Sequence, residues 1–193
     1  QTATRTAKQV RDAYGKLPLS FEENRGQANR SIDFVARGPG YAVALSPTEA
    51  TFALRKADNG VRNDAALLRM NLVGANSSAR AAGQNELEGR VNYFIGNDPA
   101  QWRREVPTFG RVRYAEVYPG IDVVYYGNQQ RLEYDFVVGP GRTAHAIALE
   151  FGGADKLEVD ASTGDLLIGV GGESIRQHKP LVYQEMNGER REI

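Results

Sequence analysis

Residues 106–138, VPTFGRVRYAEVYPGIDVVYYGNQQRLEYDFVV, decide the fold class. They read as strand, turn, strand, tight loop, strand. Of the 17 aromatic residues in the chain, ten fall between Tyr93 and Phe136, and that concentration marks a packing centre. With Gly127-Asn128-Gln129-Gln130 as a four-residue loop, Tyr125 faces Leu132, Val123 faces Tyr134 and Ile121 faces Phe136. All six are apolar or aromatic, so this register gives one continuous buried face. A three-residue loop would set Asp122 against Phe136 and spoil that face.

The same register places Asp122 opposite Asp135 and Val124 opposite Glu133 on the outer face, with Tyr126 beside Arg131. Like charges directly opposed are destabilising, so something must compensate. One reading is a Ca2+ site held by Asp122, Glu133 and Asp135, or an acid pair fit for hydrolysis. The plainer reading is a solvated face with Arg131 or a neighbouring arginine nearby, since surface carboxylates commonly need no partner.

Strand signals continue on both sides. Ile32, Phe34 and Ala36 alternate with polar neighbours, Gly38-Pro39-Gly40 turns the chain, and Tyr41, Val43 and Leu45 point one way. Residues 51–55 and 67–73 read as strands on either side of Asp58-Asn59-Gly60. Residues 74–85, GANSSARAAGQN, are small and polar and read as a loop or flexible excursion. After a strand over 91–95, Asn97-Asp98-Pro99 is a helix start, with Asn97 or Asp98 as N-cap and Pro99 at the first helical position. That short helix carries Trp102. In the C-terminal third, 156–160 pairs with 165–170, and 173–178 and 180–185 follow; Asn187-Gly188 is a strong hairpin signal. Residues 3–14 have helical spacing, ended by Gly15 and Pro18. Strands this short, with turns every 8–12 residues or so, mean a sandwich or barrel.

The bulk composition narrows function by exclusion. Lys plus Arg and Asp plus Glu are 24 each, so the net charge is zero, without the basic excess of a nucleic-acid binder. There is no cysteine, which removes disulfides and thiolate metal sites. No run of about 18 apolar residues exists to span a bilayer as a helix. His145 and His178, the only histidines, have no second ligand at metal spacing and no triad order. The glycine-rich runs do not follow a strand and open a helix, so they read as turns rather than phosphate loops.

Two aromatic sites remain. Trp102 with Asn97 and Asp98 could line a sugar site, because an indole face stacks on sugar rings; the plain alternative is that Asp98 caps the helix while Trp102 plugs the sandwich edge. Tyr114, Tyr118 and Tyr126 could form an exposed platform, or sit in the core with each hydroxyl on a backbone partner. Glu22 and Glu23 are adjacent, so on a strand they point to opposite faces.

The phrases LPLSFEENRGQ, FVARGPGYAVALSP, LEGRVNYFIGNDPAQW, residues 106–141 and KPLVYQEMNGERREI together resemble the N-terminal domain of large secreted bacterial proteins that carry β-propeller repeats of the SBBP type. The resemblance runs from about Leu17 to the end of the chain. It implies an extracellular or cell-surface setting, a signal peptide ahead of Gln1, and an adjacent repeat domain in the same chain. It carries over no catalytic residue. GERREI stops inside what reads as a returning strand, which suggests a piece of a longer chain.

The expectation is therefore all-β: a large antiparallel β-sandwich over 17–193 with one or two short helices, after a helical or flexible segment at 1–16. Lobes at 17–96 and 106–193 would meet near 96–106. The expected function is a non-catalytic extracellular or cell-surface module with a structural or interaction role beside a repeat domain. Its partner could be a surface glycan or protein, with no nucleic acid and no membrane span. The alternatives are a carbohydrate-binding module using Trp102, Asn97, Asp98 and exposed tyrosines such as Tyr126, and a hydrolase using Asp122, Glu133 and Asp135.

Overall fold

The computed structural model describes residues 19–55, 65–128, 131–186 and 189–193. The segment 1–16 with its expected helix, the turn at 58–60, Gln129-Gln130 and Asn187-Gly188 lie outside them. The chain is all-β and divides into two compact units, residues 1–152 and 153–193.

The first unit holds β1 (Phe21–Glu23), β2 (Phe34–Gly38), β3 (Tyr41–Leu45), β4 (Glu49–Arg55), β5 (Ala65–Leu72), β6 (Arg80–Tyr93), β7 (Arg103–Tyr118), β8 (Ile121–Asn128), β9 (Arg131–Val138) and β10 (Leu149–Gly152), with short 3-10 turns at Pro99–Gln101 and Ala144–Ala146. These strands form one ten-stranded antiparallel sheet in the order β10-β5-β4-β3-β2-β1-β7-β8-β9, with β6 on the other edge of β7. Period-two alternation explains the inner face. From β2 to β5 it supplies Phe34, Ala36, Val43, Leu45, Ala50, Met70 and Leu72; from β7 and β8 come Val112, Tyr114, Ile121, Val123 and Tyr125. Leu132, Tyr134, Phe136, Leu149 and Phe151 pack against the same cluster. Strands from both halves share one core, so the sheet curls over on itself.

The expected all-β antiparallel class is borne out, with most of its strands in one continuous curled sheet. β1 is the stitch: Phe21 pairs with Ala36 of β2 on one edge and with Phe109 of β7 on the other. Alternation dictates which side chains are buried, and a curled sheet and a sandwich satisfy it equally. Where β8 ends and the chain enters β1, a Cβ on Gly127 would stand 2.5 Å from Leu19 Cβ and 2.9 Å from its backbone N, so glycine is required by close approach.

Three expectations change. In the central hairpin, Asn128 pairs with Arg131, Tyr125 with Tyr134, Val123 with Phe136 and Ile121 with Val138. The expected register is displaced by two residues, which keeps every side chain on its face. Asp122 therefore faces Val137, not Asp135, and Glu133 faces Tyr126, not Val124. Much of 74–85 is not a loop: β6 starts at Arg80 and pairs along β7, with Ala81 opposite Tyr114 and Gly83 opposite Val112. Small residues are needed there because a Cβ on Gly83 would meet the Phe109 ring at 2.5 Å. No lobe boundary falls at 96–106, because β6 and β7 on either side of it pair with each other; the division comes after Gly152.

The second unit contains β11 (Lys156–Val159), β12 (Leu166–Val170) and β13 (Glu173–Gln177) as a three-stranded antiparallel sheet, and β14 (Tyr183–Met186) with β15 (Glu189–Glu192) as a hairpin. Met186 pairs with Glu189, so the two strands flank Asn187-Gly188 as the hairpin signal predicts.

Candidate functional site

Burying a carboxylate is unfavourable unless it is paired and hydrogen-bonded. Among the described residues Glu22, Asp122 and Asp165 are the buried acids, and each meets an arginine. Asp122 lies at the start of β8, opposite a bulge where the β7–β8 register shifts between Tyr114 and Tyr118. One carboxylate oxygen accepts from Nε of Arg113 at 2.9 Å and also from its Nη2; the other accepts the backbone N–H of Glu116 at 2.8 Å. Glu116 has φ +56°, so the carboxylate holds a left-handed residue that forms the bulge. The compensating cation seen at Asp122 is Arg113, and this position braces the strand.

Glu22 of β1 accepts from Nη1 of Arg37 on β2 at 2.8 and 2.9 Å, and from the Tyr93 hydroxyl on β6. The Arg37 guanidinium also lies 5.5 Å from the Tyr93 ring centroid. Burial pushes the Tyr93 hydroxyl above its ordinary value, and the Glu22 carboxylate reinforces this. Neighbouring Glu23 pairs instead with Arg25, so the two glutamates take separate partners. In the second unit, Asp165 accepts the Lys179 N–H at 2.9 Å and Nη1 of Arg176 at 2.9 Å, with His178 Nδ1 at 3.3 Å. The Lys179 N–H above all, then Arg176, hold its carboxyl down at about 2.

Glu133 and Asp135 lie on β9 beside Tyr126. The Tyr126 hydroxyl donates to Asp135 at 3.1 Å, and Asn128 Nδ2 donates to Glu133 at 2.9 Å. Burial first, then these two carboxylates, push the Tyr126 hydroxyl up, and Arg111 covers its ring at 5.3 Å. Asp122 is on the Arg113 clamp rather than with them. Among the described residues no group of three or more His, Cys, Asp or Glu side chains converges as a metal site would. Tyr114 and Tyr118 are core residues. Tyr118 donates to the Val73 carbonyl at 3.1 Å, the Tyr114 hydroxyl faces the Asp33 carboxyl instead of the expected backbone partner, and the Tyr125 hydroxyl is buried with no hydrogen-bond partner among the described residues.

The contrasting region is the tip where β6 passes into β7. Asp98 caps the Pro99–Gln101 turn by accepting the Ala100 N–H at 3.0 Å, as Asn97-Asp98-Pro99 predicts. Trp102 Nε1 donates to the Gly96 carbonyl at 3.2 Å, which fixes the indole. Its ring meets Phe94 at 5.2 Å and 86°, and the Arg104 guanidinium lies 5.2 Å from Trp102 and 5.6 Å from Phe94. Phe94 is 60% exposed and Ile95 61%. Among the described residues Arg104 has no carboxylate partner. Sequence reasoning named Trp102, Asn97 and Asp98 but missed Phe94 and Arg104. A signal was present: adjacent apolar residues at the end of a strand cannot both face the core, and Arg104 follows Trp102 at same-face spacing. Tyr126 sits beside Arg111, well along β7 from this tip.

A cavity of about 480 Å3 lies elsewhere in the first unit, lined in part by Asn24, Arg30, Asp33, Phe34, Gly83 and Phe109. Burial raises the Asp33 carboxyl, partly opposed by the Tyr114 hydroxyl. Among the described residues no helix is long and apolar enough to cross a membrane.

These features define an all-β domain whose buried acids are clamped by arginines and whose longest hairpin ends in an open aromatic tip. Residues 21–193 match the family described as "Domain of unknown function (DUF7948)", and the chain belongs to that family. No curated protein and no solved structure matches it.

Proposed function

We propose that this domain is a non-catalytic extracellular or cell-surface module, with a structural and interaction role beside a repeat domain, and that the β6–β7 tip is its contact surface. The observation that carries the reading is the state of the buried carboxylates. Glu22, Asp122 and Asp165 are each tied to an arginine. A general acid or base needs a free proton site aimed at substrate, and these sites are taken up bracing strands. The location and the repeat neighbour are supported by the resemblance of the 88–138 region to the N-terminal domains that precede SBBP-type repeats. The tip qualifies as a contact surface because it combines exposed Phe94 and Ile95 with Trp102 and Arg104, a composition typical of interface hot spots.

Two measurements test this. Purified protein assayed against glycoside, ester and peptide substrates should give no turnover; turnover that disappears in Asp122→Asn while the fold is kept would contradict the non-catalytic reading. Hydroxyl-radical footprinting should find Phe94 and Trp102 protected in the full-length chain on cells relative to purified protein. Equal reactivity would remove the tip as a contact surface.

A further inference from the structure

We infer that the tip binds an acidic saccharide, the Arg104 guanidinium taking its carboxylate and the Phe94 and Trp102 rings taking the sugar face. The inference rests on reading the tip as the contact surface and adds the chemistry of what it contacts.

The first ground is charge. Arg37, Arg90, Arg113 and Arg176 each hold a carboxylate; Arg104, exposed at the tip, is one of the arginines that hold none among the described residues, and the one set against two rings. Its guanidinium is held over two rings instead, at 5.2 and 5.6 Å. That contact orients a planar donor fork ahead of binding, so less side-chain freedom is lost when a carboxylate arrives. The single acid in the capped turn, Asp98, is engaged with Ala100 and Gln101.

The second ground is shape. Phe94 and Trp102 stand at 86°, forming a corner rather than a flat wall, and Phe94 is 60% exposed. A pyranose presents an apolar C–H face to such a ring and hydroxyls around its edge. Asn97 supplies an exposed amide in the turn between the rings, able to donate and accept, and Gln101, whose nitrogen donates to Asp98, offers its amide oxygen as an acceptor.

The third ground separates this ligand from a bilayer, which would also favour aromatic residues with arginine. Residues 96–101, GNDPAQ, are all exposed between the two rings. Inserting the tip would strip water from two amides and a carboxylate with nothing to replace it. A saccharide, with hydroxyls around its edge, replaces that water with hydrogen bonds or leaves it in place.

The test is calorimetric titration of the protein with oligogalacturonate, with a neutral galacto-oligosaccharide of equal length, and with phosphatidylglycerol vesicles. We expect oligogalacturonate to bind at least about tenfold more tightly than the neutral sugar, the size of one charge-assisted hydrogen-bonded pair. Arg104→Gln should erase that preference, Arg104→Lys should keep part of it, and Phe94→Ser should weaken both sugars. Lys156→Gln, an exposed change in the second unit, should alter nothing. The proposal is overturned by absence of oligogalacturonate binding, by equal affinity for the neutral sugar, by a preference that survives Arg104→Gln, or by binding to vesicles alone. If the rings are protected on cells while oligogalacturonate does not bind, the contact surface stands and the ligand is a protein or another polymer; if they are not protected, the contact-surface reading itself fails.

Discussion

Arg113 and Arg104 lie toward opposite ends of the same strand and meet opposite fates. Arg113 closes on Asp122 beside a bulge, and that carboxylate also holds the Glu116 N–H. Arg104 lies over Phe94 and Trp102 with no acid. Toward its C-terminal end β7 pairs with β6 on one side and β8 on the other; at its N-terminal end it pairs with β6. The difference separates two uses of charge. At Arg113, beside the bulge, charge is matched within the fold. At Arg104, on the open tip, the charge lies over two rings with no acid to match it.

Breaking the closed end should have the largest effect. Asp122→Ala removes hydrogen bonds to Arg113 and Glu116 and should cost about 2 kcal/mol in urea unfolding, held to that size because water reaches Arg113. Gly83→Ala drives a methyl into the Phe109 ring and should cost about 1–2 kcal/mol. Tyr125→Phe goes the other way. Its hydroxyl is buried with no partner among the described residues, so removing it should gain about 1 kcal/mol.

The second unit sharpens the comparison through pH. Asp165 has its carboxyl held at about 2, below the ordinary 3.8, so the folded unit resists taking up that proton. Its stabilisation is full above about pH 4 and fades as pH falls through 3.8 toward about 2. Urea midpoints of wild type and Asp165→Asn should converge over that window; a constant gap would mean the clamp contributes nothing through charge. The smallest stability effects belong to the open end. Phe94→Ser and Arg104→Gln should stay within about 0.5 kcal/mol of wild type, since exposed residues outside packed networks seldom cost more.

The buried face was legible in the sequence because alternation is a local property. Ile121, Val123 and Tyr125 share their face with Leu132, Tyr134 and Phe136 in either register, since a displacement by two preserves sides. The register itself was not legible, and with it went the predicted clash of Asp122 with Asp135. Nor was Arg113 as the partner of Asp122, because their meeting depends on a bulge in a pairing between strands. Residues 80–85 looked like a loop because small residues lack strand propensity; the Phe109 ring that requires them comes from another strand. At the tip, Asp98 and Trp102 could be read from turn chemistry, whereas the stacking of Arg104 on two rings needed coordinates.

The central claim is that the buried acids belong to the fold, and a double-mutant cycle on Asp122 and Arg113, followed by urea unfolding, tests it most directly. The account predicts a coupling of about 1–2 kcal/mol between the two side chains. A coupling indistinguishable from zero, with Asp122→Ala as stable as wild type, would contradict it and leave Asp122 free for some other task.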